Sequence, residues 1–313
     1  MFTEELSLPI HAEWRVAGDR TQTLWWPVRT DTTDAEGVRT VLFFICGNPG
    51  VIDYYIPFLD TVHNLSHLGH TTATGDIPPE KRTLDAQIQH KIDCFDLLRT
   101  RFPANTRFVL VGHSVGTYIS LQVLQARPSH GIARVICLFP TLCNILDTPN
   151  GRTMHVSSQG GQGGIGTGSV RYRGPAPRIS FAVARRRCVG ASLLHAVLHR
   201  RQCPITPVVG RNCLVMSRHE MAEIKELQAD LIEKHLDKLI FYYGVGDGWS
   251  PVEHYKDLIS RFPQGGVTSY LLLLTMANSG HTVRHHHCSV GCNSARLFMQ
   301  AGVAACICAR WVE

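Results

Sequence analysis

The chain has 313 residues, and 44% of them are hydrophobic, which is enough to fill the core of one α/β domain with an elaboration. Its formal charge at pH 7 is +6, but no RNA- or DNA-binding motif accompanies that charge, which argues against a nucleic-acid partner. Glu4 and Glu5 stand where a secretory signal would carry bases, and no apolar stretch reaches the roughly 18 residues that a membrane span needs.

The N-terminal segment, residues 1–147, alternates between strand patterns and helix patterns. Two runs of alternating residues on either side of Gly18-Asp19 predict a β-hairpin. Further along the chain, the patterns predict the strands and helices Val41–Cys46 (strand), Ile56–Leu68 (helix), Leu84–Arg101 (helix), Phe108–Val111 (strand), Val115–Arg127 (helix) and Val135–Phe139 (strand). Because strand and helix alternate, we expect a mostly parallel sheet flanked by helices.

Two blocks, residues 148–219 and 264–312, contain no Asp, Glu or Lys, and the first carries eleven Arg. Arg-rich sequence without acids buries little surface and repels itself, so we expect 148–219, the position of a lid or insertion, to be disordered. The Gly-rich stretch 160–168 does not follow a strand and carries no Lys-Ser/Thr, so it indicates a linker rather than a nucleotide-binding loop. Such blocks are also what a non-native reading frame would produce, and peptides from 153–212 or 264–312 in the natural protein would refute that origin.

Ordered patterns return between the two blocks, so residues 220–263 are predicted to continue the α/β domain. Glu220–Leu236 has helical spacing, Leu239–Gly244 reads as a buried strand, and Val252–Phe262 is an amphipathic helix. In the divergent tail, 264–313, the run Leu271–Leu274 could form a last strand. Two outcomes are therefore open: the α/β domain has its last strand at Leu271–Leu274, or the domain is incomplete at its C-terminal end.

Residues 112–116 read Gly-His-Ser-Val-Gly and stand between a predicted strand and a predicted helix. This is the G-x-S-x-G nucleophile elbow, in which the serine occupies a sharp, strained turn and side chains at the two glycines would collide with their neighbours. The helix that follows points its amides and its positive dipole end toward a developing oxyanion. The motif predicts the α/β-hydrolase fold, with Ser114 as the nucleophile.

An oxyanion hole also needs a backbone N–H from the loop after an earlier strand. The loop Cys46-Gly47-Asn48-Pro49-Gly50 has that position, and its glycines allow a close approach of the backbone to a substrate. We expect the N–H groups of Asn48 and Val115 to be the two donors. An ordinary Asn-Pro-Gly turn would have the same sequence.

The nucleophile needs a base, and the base needs a carboxylate to fix its tautomer, in the chain order Ser, Asp, His. Asp247 lies in the loop after a buried strand, where the acid belongs, although a surface turn would explain it too. His281, in a Ser-Gly-His sequence after the last apolar run, is our candidate base. The other histidines after the acid are His254, which lies on a helix too soon after it, and His285, His286 and His287. His113, inside the elbow, is predicted to be a packing residue.

A zinc site is a competing interpretation of the C-terminal tail. It would use members of the set His281, His285, His286, His287, Cys288, Cys292, Cys306 and Cys308. A pair of Cys-x2-Cys knuckles is absent, so we predict neither a metal nor another cofactor. With no signal peptide, the eleven cysteines of the chain indicate reduced thiols.

Six segments together resemble the lipid droplet-associated hydrolase family. They are FFICGNPG (43–50), YYIPF (54–58), VGHSVGTY (111–118), LFPT (138–141), TPNGR (148–152) and FYYGVGDGWSP (241–251). The resemblance covers 1–152 and roughly 213–265. It implies an α/β-hydrolase acting as a serine lipid hydrolase, with cholesterol esters among its proposed substrates, at the surface of lipid droplets and the endoplasmic reticulum. Ser114 matches the family's nucleophile and Asp247 its acid.

Three departures from the family pattern keep a second interpretation open. The Arg/Gly stretch 153–212 replaces an apolar hairpin that holds the family to droplets, so we expect weak droplet attachment. The family's Pro-His-Ala-Phe setting of the final histidine has no match after Phe262, and Leu65–His70 is short for the expected strand. The chain is then either a serine lipid hydrolase or a catalytically impaired droplet accessory protein, including an aberrant isoform, that keeps the elbow without a complete triad.

Overall fold

A computed structural model describes residues 9–26, 37–56, 63–65, 70, 76–159, 206–263, 268–277 and 280–286. The strands in these ranges are β1 (Ile10–Val16), β2 (Asp19–Trp25), β3 (Thr40–Ile45), β4 (His63–Leu65), β5 (Arg107–His113), β6 (Ile132–Leu138), β7 (Leu239–Gly244), β8 (Thr268–Ala277) and β9 (Gly280–His286). The α-helices are α1 (Leu84–Arg99), α2 (Val115–Ala126), α3 (Pro149–Gln159), α4 (Pro207–Glu223), α5 (Ala229–Lys234) and α6 (Val252–Arg261). Short 3-10 turns lie at Ile52–Tyr55, Pro79–Arg82, Ile145–Asp147 and Leu236–Lys238.

The described strands form one sheet in the order β1-β2-β4-β3-β5-β6-β7-β8-β9. The strands from β4 to β8 are paired in parallel, while the β1–β2 hairpin and β9 are antiparallel at the two edges. The predicted mostly parallel sheet with flanking helices is therefore confirmed. Since the central strands are parallel, the loops that follow them meet at one edge of the sheet, where ligands of open α/β sheets bind.

Alternate residues of the central strands enter two different buried clusters, as expected for a sheet covered on both faces. In β5, Leu110 belongs to the cluster that contains residues of α1 and α2, and Val111 belongs to the cluster on the opposite face. The second cluster includes Ile52 and Tyr55 of the 3-10 turn after β3. The loop after β3 is thus anchored in the core next to the end of β5.

The predicted helix Ile56–Leu68 is wrong at its C-terminal end. His63–Leu65 is instead a short strand, paired in parallel with β3 and antiparallel with β2. Residues 57–62 and 66–69 lie outside the described residues. Helical spacing over so short a run does not exclude a strand, and the edge of β3 offers backbone partners that decide the outcome.

The prediction of disorder for 148–219 is wrong for both ends of that segment, which form α3 and most of α4. Helix α4 begins at Pro207 rather than at Glu220, because the Thr206 side chain accepts a hydrogen bond from the Val209 N–H and Pro207 occupies the first turn. It ends at Glu223, and a separate helix follows at Ala229–Lys234. The middle of the segment, residues 160–205 with the Gly-rich stretch, lies outside the described residues.

The predicted last strand is confirmed and is longer than expected, since β8 spans Thr268–Ala277 and β9 follows it. The tail therefore continues the sheet as far as His286, and residues 287–313 lie outside the described part. Among the described helices, none is long and apolar enough to cross a membrane.

Candidate active site

Ser114 occupies the junction between β5 and α2. Its backbone has φ 52° and ψ −123°, in a region that residues with a side chain rarely adopt. The Ser114 N–H donates to the carbonyl oxygen of Leu138 at 3.0 Å, which fixes the turn against the end of β6. The predicted strained strand-to-helix turn is confirmed, and Ser114 is only partly buried there.

The two glycines of the elbow are required by close backbone contacts. A Cβ on Gly116 would lie 2.2 Å from the carbonyl oxygen of Ile45, and one on Gly112 would lie 2.4 Å from the carbonyl oxygen of Gly116. Both distances are far inside van der Waals contact. The predicted collisions at these positions are confirmed, and the one at Gly116 shows that α2 packs directly on the backbone of β3.

Replacing Gly116 with Ala is expected to lower the free energy of unfolding by about 3 kcal/mol, the upper end of the range for overpacked sites. The new methyl group can be accommodated only by moving α2 away from β3. Gly246→Ala is the matched control, because its added Cβ would meet nothing within 4 Å. Urea denaturation measures both, and equal midpoints for the two variants would contradict the packing that we describe.

The loop after β3 lies against the nucleophile elbow. A Cβ on Gly47 would lie 3.0 Å from Ser114 Cβ, and the Gly47 N–H donates to the Tyr55 hydroxyl at 3.0 Å. That hydroxyl also lies 3.0 Å from Nδ1 of His113. One phenol thus joins the two loops. His113 packs edge-on against Tyr55 and Phe139, in agreement with its predicted packing role.

The rest of this loop is held by side chains from distant parts of the chain. The Gly50 N–H donates to Nδ1 of His70 at 2.9 Å. Burial, reinforced by the Lys91 ammonium, lowers the pKa of His70 to about 3, so the ring stays neutral and can accept this bond. The Asn48 side chain contacts helix α4, where its Nδ2 lies 2.8 Å from Oε1 of Glu220. Of the two predicted oxyanion donors, Asn48 lies in this loop next to Gly47, and Val115 is the first residue of α2, directly after Ser114.

Asp247 lies in the loop after β7, at the same edge of the sheet as Ser114. Its Oδ1 accepts hydrogen bonds from the N–H groups of Trp249 at 2.8 Å and Ser250 at 3.1 Å. Its Oδ2 has no hydrogen-bond partner among the described residues. Burial raises the pKa of Asp247, and the two amides oppose that rise. The carboxylate is thus oriented through one oxygen by two backbone N–H groups.

The acid loop is supported by the TPNGR segment, whose role sequence reasoning missed. The Asn150 N–H donates to the carbonyl oxygen of Gly248 at 3.0 Å, and the Asn150 side chain fills the space where a Cβ on Gly248 would lie. Thr148 caps the same turn, since its Oγ1 accepts from the Gly151 N–H at 3.1 Å. The motif was visible in the sequence, but nothing local linked it to Asp247.

His281 lies in β9, and its backbone pairs with Met276 near the C-terminal end of β8. That is the sheet edge that also carries Ser114 and Asp247. In the strand order, β9 stands four places from β5, a lateral separation of roughly 19 Å at about 4.8 Å per strand. The structure therefore puts His281 at the predicted edge without bringing its backbone next to Ser114. His254 lies on α6, as predicted.

Among the described residues, no group of three or more His, Cys, Asp or Glu side chains could hold a metal ion. The zinc interpretation depends on the tail, and its members from His287 to Cys308 lie outside the described residues. Five cysteines are described, and none of these five forms a disulfide.

Glu220 is a buried carboxyl whose pKa rises to about 7, chiefly because of burial, while the hydrogen bond from Asn48 opposes the rise. The folded protein then holds this proton more tightly than the unfolded chain, so Glu220 lowers stability as the pH increases from about 4.5 to 7. Glu220→Gln should remove the loss. We expect it to raise the free energy of unfolding at pH 8 by up to about 3 kcal/mol, and to change it much less at pH 4.5. Urea unfolding at the two pH values measures this. A difference in free energy of unfolding between Glu220→Gln and the wild type that is the same at both pH values would contradict it.

A family profile described as lipid-droplet associated hydrolase matches residues 38–288. That range continues past residue 265, the end of the resemblance that the sequence motifs give, and it includes His281. A lipid droplet-associated hydrolase from Pongo abelii is 30% identical to the chain, with 83% of this chain and 87% of the relative covered. The one from Homo sapiens is 29% identical with the same coverage.

Two solved structures resemble the fold of the chain. A soluble variant of the monoglyceride lipase from Saccharomyces cerevisiae has a TM-score of 0.54 and 13% identity, covering 87% of this chain and 88% of the lipase. A serine hydrolase from Cycloclasticus zankles has a TM-score of 0.52 and 14% identity, covering 84% of this chain and 89% of the hydrolase. At these identities the likeness shows the α/β-hydrolase fold alone, and the predicted fold is confirmed.

Proposed function

Because the chain belongs to the lipid droplet-associated hydrolase family, we propose that it is a serine hydrolase of lipid esters. The observation that carries the proposal is the geometry of Ser114. A partly exposed serine sits at a strained strand-to-helix turn, with the Gly47–Asn48 loop packed against it. Nucleophilic serines of α/β-hydrolases have this arrangement.

In the mechanism that we propose, Ser114 Oγ attacks the ester carbonyl while a histidine accepts the hydroxyl proton. The N–H groups of Asn48 and Val115 donate to the oxyanion of the tetrahedral intermediate. The histidine then protonates the departing alcohol, which leaves an acyl group on Ser114. A water molecule, deprotonated by the same histidine, releases the fatty acid and regenerates the serine. No cofactor is needed for these steps.

We assign the base to His281 and its orienting carboxylate to Asp247. His281 follows the strand after the acid, as the chain order of the triad requires. Its pairing in β9 would have to open for the ring to cross the roughly 19 Å between β9 and β5 and reach Ser114. The Oδ2 atom of Asp247, which has no hydrogen-bond partner among the described residues, supports the assignment, since a triad carboxylate has to accept a bond from the imidazole Nδ1–H.

The family name points to the surface of lipid droplets as the place of action, and the endoplasmic reticulum surface belongs to the same proposal. A lipid ester is the proposed substrate, with cholesterol esters as one candidate. We propose peripheral association with these surfaces and no nucleic-acid partner.

The substrate class can be tested with the purified full chain and an ester panel. We expect hydrolysis of p-nitrophenyl butyrate and of emulsified lipid esters, cholesteryl oleate among them, and no hydrolysis of peptide substrates. Ser114→Ala serves as the blank for every substrate. The proposal fails if the wild-type chain releases no more acid or alcohol from any ester than this blank does.

A second function, that of a catalytically impaired accessory protein on droplets, is favoured by the position of β9. If the antiparallel pairing with β8 holds His281 four strand positions from β5, an imidazole cannot span that separation. The elbow would then bind ester groups without activating Ser114. Droplet binding by the wild-type chain, together with no Ser114-dependent hydrolysis, would identify this function.

A further inference from the structure

Glu220 lies on helix α4 and reaches the loop that carries one of the proposed oxyanion donors. We propose that Glu220 is a positioning residue that holds the Asn48 N–H in the direction of the oxyanion. The inference rests on the proposed function, since it assigns a role to a residue behind the same site. It adds a functional link between α4, far along the chain, and the loop after β3.

The contact is made by the Asn48 side-chain amide. Its Nδ2 lies 2.8 Å from Glu220 Oε1, 2.8 Å from Ser217 Oγ and 2.9 Å from the carbonyl oxygen of Cys213. Two amide hydrogens thus face three acceptors on one helix. The Asn48 Oδ1 is buried and has no hydrogen-bond partner among the described residues. An amide with one end unsatisfied keeps its orientation only if the other end is bound well.

Glu220 is the one of these acceptors that can carry a full charge. A hydrogen bond to an ionised carboxylate is roughly twice as strong as one between neutral groups. Ser217 Oγ is a neutral acceptor, and its hydroxyl in turn donates to the carbonyl oxygen of Cys213 at 3.0 Å. Burying a carboxylate is costly, and the raised pKa of Glu220 reflects that cost. We infer that the contact with Asn48 offsets part of it.

The position of Asn48 in the loop explains why its side chain matters for its backbone. Gly47 precedes it, and glycine restricts the backbone less than any other residue. The Gly47 N–H is fixed by Tyr55 and the Gly50 N–H by His70, so both ends of the loop are tied to the core. In the part of the chain that the structure describes, the peptide between Gly47 and Asn48 is tied through the Asn48 side chain. Losing that tie lets the N–H turn away from the oxyanion position.

The test measures kcat and KM on p-nitrophenyl butyrate at pH 8, where Glu220 is ionised. Glu220→Ala and the bulkier Glu220→Met remove the acceptor, and we expect kcat to fall about 10- to 100-fold while KM changes less than about twofold. Glu220→Gln keeps an acceptor oxygen and should retain kcat within about threefold. Glu223→Ala is the matched control, since Glu223 lies exposed on the same helix and pairs with His219. Its kcat should equal that of the wild type.

A second readout, amide hydrogen exchange of a peptide that contains residues 47–50, does not depend on catalysis. We expect faster exchange in Glu220→Met than in Glu220→Gln, with Glu223→Ala unchanged. Wild-type kcat and exchange in Glu220→Met would overturn the inference, as would equal losses in the Met and Gln variants. The proposed function fails separately, if the wild-type chain has no hydrolysis that depends on Ser114. The exchange comparison decides the role of Glu220 even then.

Discussion

Ser114→Ala should lower kcat for ester hydrolysis by about 10⁴-fold or more, which is the loss expected when a triad nucleophile is removed. The strained turn between β5 and α2 places this hydroxyl at the sheet edge, directly before the first residue of α2. Alanine keeps the Cβ and so leaves the backbone strain and the fold unchanged. Steady-state kinetics on a soluble ester, with circular dichroism to confirm folding, measure the effect.

Ser260→Ala is the matched control for this prediction. Ser260 is exposed on α6, and its hydroxyl donates to the Asp257 carbonyl oxygen, away from the proposed site. Its kcat should match the wild type. Ester hydrolysis that persists at the wild-type rate in folded Ser114→Ala would rule out Ser114 as the nucleophile.

His281→Ala should reduce kcat almost as far as Ser114→Ala does, because the members of a triad act as a unit. The double variant with both Ser114→Ala and His281→Ala should then have a kcat no lower than that of either single variant. Asp247→Asn is expected to cost up to about 10⁴-fold, since it leaves the loop geometry intact but stabilises the wrong imidazole tautomer. The loss should appear in kcat rather than in KM, because neither residue is proposed to bind the ester.

His286→Ala is the control for His281. His286 lies in the same strand, but it pairs with Leu271, toward the other end of β8. Its kcat should stay at the wild-type value. An unchanged kcat in His281→Ala, together with a loss in His285→Ala or His287→Ala, would move the base to another histidine of the tail. Unchanged turnover in all of them would mean that no histidine of the tail acts as the base.

The elbow and the parallel pairing of the central sheet could be predicted because both are encoded locally. Gly112, Ser114 and Gly116 specify a tight turn within five residues, and buried strands such as β5 and β7 read as continuous apolar runs. The alternation of strands with helices then fixes parallel pairing. The loops after β3 and β7 fall at the sheet edge for the same reason, which is why Asn48 and Asp247 could be selected before their contacts were known.

The residues behind the site could not be predicted, because their contacts are made across the fold. Asn48 contacts Glu220, which lies 172 positions further along the chain, and Asn150 contacts Gly248 in the loop that carries Asp247. Nothing in the sequence around Tyr55 distinguishes it from other buried aromatic residues. Its hydroxyl nevertheless joins Gly47, in the loop after β3, to His113, in the nucleophile elbow. The start of helix α4 lies inside the acid-free segment 148–219, whose composition indicates disorder, although Thr206 and Pro207 have the residue types that begin a helix. The short strand β4 forms only because β2 and β3 are beside it.

The proposed function depends above all on an activated Ser114, and labelling with a fluorophosphonate probe tests this most directly. Such a probe reacts with a serine only when a base and an oxyanion hole assist the attack, and mass spectrometry identifies the modified residue. We predict that the folded wild-type chain is labelled at Ser114, that Ser114→Ala is not labelled, and that His281→Ala is labelled far more slowly. A folded wild-type chain that remains unlabelled at Ser114 would contradict the proposal that Ser114 is an activated nucleophile.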